Sequence, residues 1–398
     1  MPIDIDRIRR DTPGVANVRH FNNAGAALMP EAVLRAVTGH LEREAAIGGY
    51  EAADEADDLL ERGVYEKIAR LINAAVDEVA VIENATRAWD MAFYAVPLGK
   101  GDRILTAEAE YSSNVIAFLQ QARRTGAVVE TVPSDNAGDL DVHALERLLD
   151  DKGKGRVGLV AITHVPTNGG LVNPAAAVGK LTRAAGVPYL LDACQSVGQM
   201  PVDVQAIGCD MLSATGRKYL RGPRGTGFLY VRKALLDRLD PPFLDNHAAR
   251  WTSRDRYEVR ADARRFENWE SFVAGKAGLA AAIDYALDLG LEAIRERAYA
   301  LAARLRDGLS GVKGAVVRDI GRERCAIATF TIDGMTPAAV KEALARDRIN
   351  VTTSSILSTR WDMERRGLDM VVRASPHYYN SEAEVDALLE ALARIAAN

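Results

Sequence analysis

Seven short apolar runs, separated by longer helical patterns, constrain the fold of this chain more than any other feature of its sequence. We predict strands at residues 79–82, 103–106, 128–132, 158–163, 188–191, 211–214 and 227–231. The helical patterns between them cover residues 88–96, 113–125, 142–150 and 174–185. Strands that alternate with helices predict an α/β fold, with a large, mostly parallel seven-stranded sheet and helices on both faces. In such sheets, ligands bind at the carboxyl ends of the strands.

The rest of the chain predicts a second, smaller α/β unit. Residues 248–266 are rich in arginine and poor in apolar periodicity, so we expect a connection there. An alanine-rich helical pattern follows over 270–307, and a few further strands and helices extend to the C-terminus. We therefore predict a large domain, residues 18–255, and a small domain built from residues 1–17 and 256–398. A chain of 398 residues is long enough to give each domain its own core.

Charge and cysteine content argue against several classes of protein. The formal net charge of −5 gives no electrostatic reason to expect nucleic acid or an anionic membrane as a partner. No apolar run approaches the length of a membrane span, and the charged N-terminus lacks the apolar core of a secretory signal. The cysteines, Cys194, Cys209 and Cys325, are odd in number and widely spaced. This pattern is typical of a reducing cytoplasm and predicts neither a disulfide framework nor a metal site.

A carboxylate and a lysine stand at the ends of two predicted strands. One apolar run leads into Asp192, and the next leads into Thr215-Gly216-Arg217-Lys218. Pyridoxal phosphate chemistry needs this pair of groups. A lysine amine forms a Schiff base with the cofactor aldehyde, and a carboxylate keeps the pyridine nitrogen protonated. Taken alone, Asp192 would be interpreted as a loop cap and Lys218 as a solvated surface residue, so the prediction depends on finding both.

Other strand ends offer candidates for the remaining contacts of this cofactor. Backbone N–H groups and a hydroxyl at a helix start favour a phosphate, an aromatic ring can stack on the pyridine, and polar side chains can approach the phenolic oxygen. Each motif alone is more typical of a helix cap, a core aromatic or a turn, so only their combination predicts a site. The candidates are, in that order, Ala85 and Thr86, Tyr111, and Gln195 with Thr167 and Asn168.

Five motifs together resemble the class V aminotransferase family. They are Asn22-Asn23-Ala24-Gly25, Thr163-His164-Val165, Asp192-Ala193-Cys194-Gln195, Thr215-Gly216-Arg217-Lys218 and Arg373-Ala374-Ser375. This family includes cysteine desulfurases, C–S lyases and isopenicillin N epimerase-like enzymes. The resemblance covers nearly the whole chain. It implies the fold type I architecture of pyridoxal phosphate-dependent transferases, pyridoxal 5′-phosphate as the cofactor and an amino acid as the substrate.

The resemblance also implies a role for each candidate residue. Lys218 would carry the Schiff base, Asp192 would hold the pyridine nitrogen, and Tyr111 would stack on the ring, which makes these three the implied catalytic residues. Arg373 would grip the substrate carboxylate, because a guanidinium suits bidentate binding. The other implied contacts are Ala85, Thr86, Thr215 and Arg217 for the phosphate, Gln195, Thr167 and Asn168 for the phenolic oxygen, and Asn23 and Ala24 for the substrate.

A homodimer with shared active sites is implied as well. Residues 266–271 resemble the segment with which family members reach the phosphate bound in the partner subunit. Trp269 and Ser271 are therefore the implied cofactor contacts across the interface.

The chain departs from cysteine desulfurases between residues 350 and 360. Desulfurases carry a nucleophilic cysteine on a loop here, whereas this chain reads NVTTSSILSTR. Forming a persulfide needs a thiolate nucleophile, and a serine hydroxyl cannot accept sulfane sulfur. Tyr111 also stands where desulfurases carry a ring-stacking histidine that is thought to help proton transfer. We therefore predict that the protein is not a cysteine desulfurase.

Several reactions remain open on this scaffold. The leading hypothesis is a β-eliminating C–S type lyase that acts on a cysteine-derived or similar β-substituted amino acid. The alternatives are a class V aminotransferase with a keto-acid acceptor, an amino-acid epimerase and, least favoured, a noncatalytic cofactor-binding module. The sequence leaves open the substrate side chain, the stereochemistry and the role of residues 352–360.

Overall fold

Strands and helices alternate along most of the chain in the computed structural model, which describes residues 3–397. The helices are α1 (Ile5–Arg10), α2 (Glu31–Ile47), α3 (Gly49–Glu55), α4 (Val64–Ile72), α5 (Ala85–Tyr94), α6 (Ser112–Thr125), α7 (Val142–Asp150), α8 (Ala175–Ala185), α9 (Val204–Ile207), α10 (Val273–Leu289), α11 (Leu291–Leu309), α12 (Pro337–Arg346), α13 (Arg360–Arg365) and α14 (Glu382–Ala396). The strands are β1 (Arg19–His20), β2 (Val79–Ile82), β3 (Arg103–Ala107), β4 (Val128–Val132), β5 (Val157–Thr163), β6 (Tyr189–Asp192), β7 (Met211–Thr215), β8 (Gly227–Val231), β9 (Ala249–Ser253), β10 (Arg256–Val259), β11 (Ala315–Val317), β12 (Ala328–Ile332), β13 (Ile349–Asn350), β14 (Thr352–Ser355) and β15 (Met370–Ala374).

The large sheet has seven strands in the order β2-β8-β7-β6-β5-β3-β4. Strand β8 runs opposite to the other six strands, so the predicted α/β fold with a mostly parallel seven-stranded sheet is confirmed. The central strands β6 and β7 are buried along their whole length, which explains why their sequences are continuously apolar. Among the four helices predicted between the strands of this sheet, the largest difference is at the start of α5. Helix α5 begins at Ala85 and not at residue 88, because Asn84 Oδ1 accepts a hydrogen bond from the Arg87 N–H and caps the helix.

A second, antiparallel sheet has the order β11-β12-β15-β14. Its buried side chains, such as Phe330 and Val372, form a separate core with α11, α12 and α14. The N-terminal segment joins this unit, because β1 pairs with β13 and Asn22 forms a bridge with Ser375. The C-terminal part of the chain is therefore a smaller α/β unit that includes residues near the N-terminus.

The domain limits remain a prediction. The packing of helix α10 indicates where the boundary between the two domains lies. This helix lies against α2 and α4, and its Leu279 and Ile283 belong to the core of the large sheet. We therefore favour a boundary after α10 over one near residue 256.

The predicted connection over residues 248–266 contains regular structure that its sequence did not indicate. Strands β9 and β10 form a two-stranded antiparallel hairpin there, in which Trp251 pairs with Tyr257. Periodicity missed these strands because their side chains are mostly exposed; Trp251, for example, is 78% exposed. Main-chain hydrogen bonds therefore hold a hairpin that buries little apolar surface. Between residues 3 and 397, no helix combines the length and the apolar character that crossing a membrane requires.

Candidate active site

Three neighbouring parallel strands deliver polar residues to one edge of the large sheet. Thr163 ends β5, Asp192 ends β6 and Thr215 ends β7. The strand register places Thr163 beside Asp192, and Asp192 beside Ser213. Lys218 lies just beyond the end of β7, so the predicted carboxylate and lysine share the edge where ligands bind in such sheets.

Asp192 is buried, with 5% of its surface exposed, and both of its carboxylate oxygens are oriented by N–H donors. Its Oδ1 accepts from the Cys194 backbone N–H at 2.9 Å, and its Oδ2 accepts from Asn114 Nδ2 at 3.1 Å. A carboxylate offers about four acceptor positions, so Asp192 can still accept a hydrogen bond from a protonated pyridine nitrogen.

The amine of Lys218 is held in a poorly solvated part of the site. Burial lowers the pKa of Lys218, and the positive charges of Arg217 and Arg373 act in the same direction. The negative charge of Asp192 opposes this shift. A lowered pKa increases the uncharged fraction of the amine at any given pH, and the uncharged amine is the form that attacks an aldehyde or accepts a proton.

Arg373 lies on β15 of the small sheet and is 8% exposed. Its Nη1 donates to the Thr167 hydroxyl and its Nη2 lies 3.5 Å from Asn22 Oδ1, so both contacts are to neutral side chains. Its Nε has no hydrogen-bond partner within the described residues. Burial lowers the pKa of Arg373 to about 10, and the charge of Arg217 adds to this effect. A buried guanidinium with only neutral partners is a preformed site for an anion.

The segment around residues 22–25 contacts the site through Asn22 and not through Asn23. Asn23 is fully buried, its Nδ2 donates to the Ser375 carbonyl at 2.7 Å, and its Oδ1 accepts from the Tyr379 hydroxyl at 2.5 Å. The Ala24 carbonyl accepts from Gln195 Nε2 at 3.1 Å. Asn23 and Ala24 therefore hold this segment in place, and their predicted substrate contact stays untested. Asn22, beside Arg373, is a site residue that the sequence reasoning did not single out.

The predicted phosphate contacts lie at the start of α5 and around Lys218. Ala85 is buried and Thr86 is exposed at the first turn of α5. Thr215 is buried and donates to the Thr226 carbonyl at 3.3 Å. Arg217 donates from Nη1 to the Gly25 carbonyl, so the guanidinium contacts the N-terminal segment. The contact of Arg217 with the cofactor phosphate therefore remains a prediction.

Two predicted contacts, Thr167 and Asn168, have partners other than the expected phenolic oxygen. Thr167 binds Arg373, as described above. Asn168 accepts from the Ser354 hydroxyl at 2.5 Å and donates from Nδ2 to the Ser355 carbonyl at 3.2 Å. Asn168 thus anchors the start of the loop that follows β14. The far end of this loop is held by the Ser112 N–H, which donates to the Ser358 carbonyl at 2.9 Å.

The aromatic candidates are accessible. Tyr111, just before α6, is 37% exposed, and its backbone N–H donates to Glu110 Oε1 at 2.8 Å. Trp269 is 56% exposed, and its backbone N–H donates to Asp245 Oδ2 at 2.7 Å. Ser271 is partly buried. The contact implied for Trp269 and Ser271 is with a partner subunit, so it stays a prediction in a single chain.

None of the three cysteines has the environment of a reactive thiolate. Burial raises the pKa of Cys194 to about 12, although the positive charge of Lys218 opposes the shift. Burial also raises the pKa of Cys325 to about 12 and that of Cys209 further. Raised pKa values keep these groups as thiols near neutral pH, and thiols are poor nucleophiles.

The residues at this edge fit pyridoxal phosphate. Asp192 keeps acceptor capacity for the pyridine nitrogen, and Gln195 keeps a second Nε2 hydrogen beside the one it gives to Ala24. The amine of Lys218 has a lowered pKa, and the first turn of α5 presents backbone N–H groups suited to a phosphate. Arg373 supplies a cation for a substrate carboxylate, with its Nε still unpartnered.

Comparisons with known proteins agree with this site. The family model "Aminotransferase class-V" matches residues 19–388. A probable cysteine desulfurase from Methanothermobacter thermautotrophicus is 30% identical over 395 residues, which cover 98% of this chain and 97% of that protein. The apo structure of a cysteine desulfurase from Thermococcus onnurineus NA1 superposes with a TM-score of 0.91 at 26% identity, covering 100% of this chain and 99% of that one.

A third similarity widens the range of reactions found on the same fold. The cystine C–S lyase C-DES, solved in complex with its reaction product cysteine persulfide, has a TM-score of 0.84 and 24% identity, covering 96% of this chain and 99% of that one. Desulfurase and lyase structures therefore share this architecture, so the fold does not choose between them. The chain belongs to the class V aminotransferase family, as its motifs predicted, and is a pyridoxal phosphate-dependent enzyme of fold type I.

Proposed function

We propose that this enzyme is a β-eliminating lyase that acts at the α-carbon of an amino acid with a leaving group on Cβ, such as an S-substituted cysteine. We further propose that it is not a cysteine desulfurase. The observation that carries the proposal is that residues fitting the cofactor and a substrate carboxylate lie together, whereas none of the three cysteines has the environment of a reactive thiolate. A β-elimination needs no protein group that attacks the substrate sulfur, so it can proceed in a site without a reactive thiol.

The state of the cysteines supports the exclusion of desulfurase chemistry. Residues 350–360 contain three serines, Ser354, Ser355 and Ser358, and no cysteine, and contacts from Asn168 and Ser112 hold the two ends of the loop after β14. Cys209 and Cys325 are fully buried, and the pKa of Cys194 is raised to about 12 by burial. A sulfur acceptor must ionise and reach the substrate, so the chain is poorly equipped to form a persulfide.

Each protein group in the proposed site has a defined task. The bound cofactor supplies an electron sink for the pair released when a bond at Cα breaks. Asp192 would keep the pyridine nitrogen protonated, and Tyr111 would stack on the cofactor ring. Arg373, with Asn22 and Thr167 beside it, binds the substrate carboxylate and so orients Cα.

Lys218 is the proposed base and acid. Its uncharged amine takes the proton from Cα, the bond between Cβ and sulfur breaks, and both electrons of that bond leave on the sulfur. The ammonium of Lys218 can then return the proton to the departing thiolate. Overall, one S-substituted cysteine and one water give a thiol, pyruvate and ammonium. The reaction needs no oxidant and no added keto acid.

We also propose that the enzyme is a cytoplasmic homodimer. Trp269, which is 56% exposed, lies in the segment that resembles a contact to the partner's site, and Phe272, which is 40% exposed, directly follows that segment. Covering these aromatic side chains would bury apolar surface, which favours association. The negative net charge and the widely spaced reduced cysteines agree with a cytoplasmic enzyme without nucleic-acid or membrane partners.

Release of pyruvate without an added keto acid tests the proposed reaction. The purified holoenzyme should be incubated with a panel of S-substituted cysteines, and pyruvate and the released thiol should be quantified together. We expect equal amounts of the two products, because one elimination yields one of each. Product formation only after addition of a keto acid would instead identify an aminotransferase. Inversion at Cα without pyruvate would identify an epimerase, and binding without turnover a noncatalytic module.

Removal of the more accessible thiol should leave the reaction intact. We expect Cys194→Ala to retain pyruvate release within about threefold of wild type, since a thiol with a pKa near 12 takes no part in elimination. Turnover and intact protein mass, measured with and without reductant, check this. A bound sulfur on any cysteine during turnover, together with loss of activity in the variant, would restore the desulfurase assignment.

A further inference from the structure

Glu110 is a buried carboxylate beside the proposed site, and the steps described so far give it no role. It follows β3 and is 1% exposed. Its Oε2 accepts from the Thr163 N–H at 2.9 Å and from the Thr106 hydroxyl at 3.1 Å. Its Oε1 accepts from the Tyr111 N–H at 2.8 Å, from Asn114 Nδ2 at 2.9 Å and from the Thr163 hydroxyl. The side chain therefore ties β3, β5 and α6 together behind the cofactor site.

Asn114 joins Glu110 directly to Asp192. Its Nδ2 lies 2.9 Å from Glu110 Oε1 and 3.1 Å from Asp192 Oδ2. An amide nitrogen carries two hydrogens, so one can point at each carboxylate. Asn114 is 3% exposed, which means that little water screens the two carboxylates from each other. The orientation of Asp192 and its electrostatic environment thus depend on Glu110.

The charge of Glu110 changes in the physiological pH range. Burial raises the pKa of Glu110 to about 7, and the charge of Asp192 adds to the shift, while hydrogen bonds from Thr163 and Asn114 oppose it. The other titratable group coupled to Glu110 is Tyr189 at the start of β6, whose pKa burial raises well above its usual value. Tyr189 is therefore neutral near pH 7, and Asp192 is the charged neighbour that matters.

We propose that Glu110 is a positioning residue that acts on the cofactor through Asn114 and Asp192. It orients the Asp192 carboxylate toward the pyridine nitrogen, and its negative charge strengthens the hold of Asp192 on the pyridine proton. Through the N–H of Tyr111 it also fixes the residue that stacks on the ring. This inference rests on the proposed roles of Asp192 and Tyr111, and it holds for any reaction that uses the cofactor as an electron sink.

A charge-based role makes a prediction that a purely structural role does not. Removing one nearby negative charge lowers the proton affinity of cationic groups in a poorly solvated site by about half to one pH unit. The visible absorbance of the bound cofactor reports such a proton equilibrium. A residue that only holds β3, β5 and α6 together would change the melting temperature and leave the midpoint of this equilibrium in place.

The test compares two substitutions that separate charge from shape. Glu110→Gln keeps the length and one acceptor oxygen but removes the charge, whereas Glu110→Asp keeps the charge and shortens the side chain. In a pH titration of the visible absorbance of the holoenzyme, we expect the midpoint to fall by about half to one pH unit in Glu110→Gln. In Glu110→Asp we expect the wild-type midpoint with a lower melting temperature.

Glu108→Gln is the matched control, because it removes the same charge two positions away. Glu108 pairs with Arg365 at 3.1 Å and accepts from the Ser134 N–H at 2.9 Å, away from Asp192. A wild-type midpoint in Glu110→Gln would overturn the proposal. If that variant does not fold, Glu110→Ala, which also removes the charge, is titrated in its place: a lowered midpoint supports the proposal and a wild-type midpoint rejects it. A wild-type protein without cofactor absorbance would contradict the proposed function itself, whichever variant is used.

Discussion

Replacing Lys218 with alanine should lower the rate of pyruvate release by at least about a thousandfold. Two functions are lost together in Lys218→Ala: the covalent hold on the cofactor and the base that removes the Cα proton. A positioned general base alone contributes about 10²- to 10⁴-fold to a rate. The loss should appear in kcat, because Arg373 still binds the substrate carboxylate. Initial rates at saturating substrate measure it.

Borohydride reduction provides a second readout that does not depend on activity. Reduction should add the cofactor mass to the wild-type peptide that contains Lys218, and no such mass should appear in Lys218→Ala. Lys100→Ala is the matched control, since Lys100 is exposed and precedes β3, at the opposite edge of the sheet from the site. Cofactor trapped on another lysine, or an alanine variant with normal turnover, would remove the basis of the proposed mechanism.

The seven strands of the large sheet were predictable because parallel strands buried on both faces must be apolar at nearly every position. Strands β6 and β7 meet this condition, and the sequence located them within one residue. The strands of the hairpin, β9 and β10, are not buried on both faces. Trp251 and Tyr257 are exposed by 78% and 63%, so main-chain hydrogen bonds define strands that leave no apolar pattern.

The same reasoning explains which parts of the candidate site were found. Asp192 and Lys218 follow strands whose carboxyl ends must meet at one edge, so sequence order alone brings them together. Asn22 reaches the site through pairing of the N-terminal segment with the small sheet, a contact between distant parts of the chain. The alternation of strands and helices in the sequence does not indicate whether Asn22 or Asn23 faces Arg373. The sequence did contain a signal for the contact between Glu110 and Asn114. The two residues are four positions apart, and both lie near the start of α6.

Arg373→Gln should raise KM for the amino acid by about 10- to 100-fold, while kcat changes much less. A charge-assisted hydrogen bond to a carboxylate is worth more than a neutral one, and the guanidinium can donate two of them to the substrate. Glutamine retains a hydrogen-bond donor, but it lacks the positive charge and the paired N–H donors of the guanidinium. Because the carboxylate is bound similarly before and during bond cleavage, the loss should fall mainly on KM.

The role of Arg373 in binding the substrate carboxylate can be tested more directly by changing the substrate together with the enzyme. The amide of the preferred amino acid lacks the negative charge that Arg373 would bind. Wild type should therefore prefer the acid to the amide in kcat/KM, and Arg373→Gln should lose most of that preference. Arg318→Gln is a matched control, since Arg318 contacts Thr331 at 3.0 Å and should keep the wild-type preference. If Arg373→Gln retained the preference, another cation would have to bind the carboxylate.

Stability measurements distinguish this binding role from a structural salt bridge. Arg373 is buried against the neutral side chains of Thr167 and Asn22, and burial lowers its pKa to about 10. The folded protein therefore bears the cost of desolvating a cation without a carboxylate to offset it. We expect Arg373→Gln to melt at the same temperature as wild type or higher. Had Arg373 been part of a structural ion pair, the same substitution would leave a buried carboxylate unpaired and lower the melting temperature. A large rise in KM without loss of stability is the combination that a preformed carboxylate site predicts.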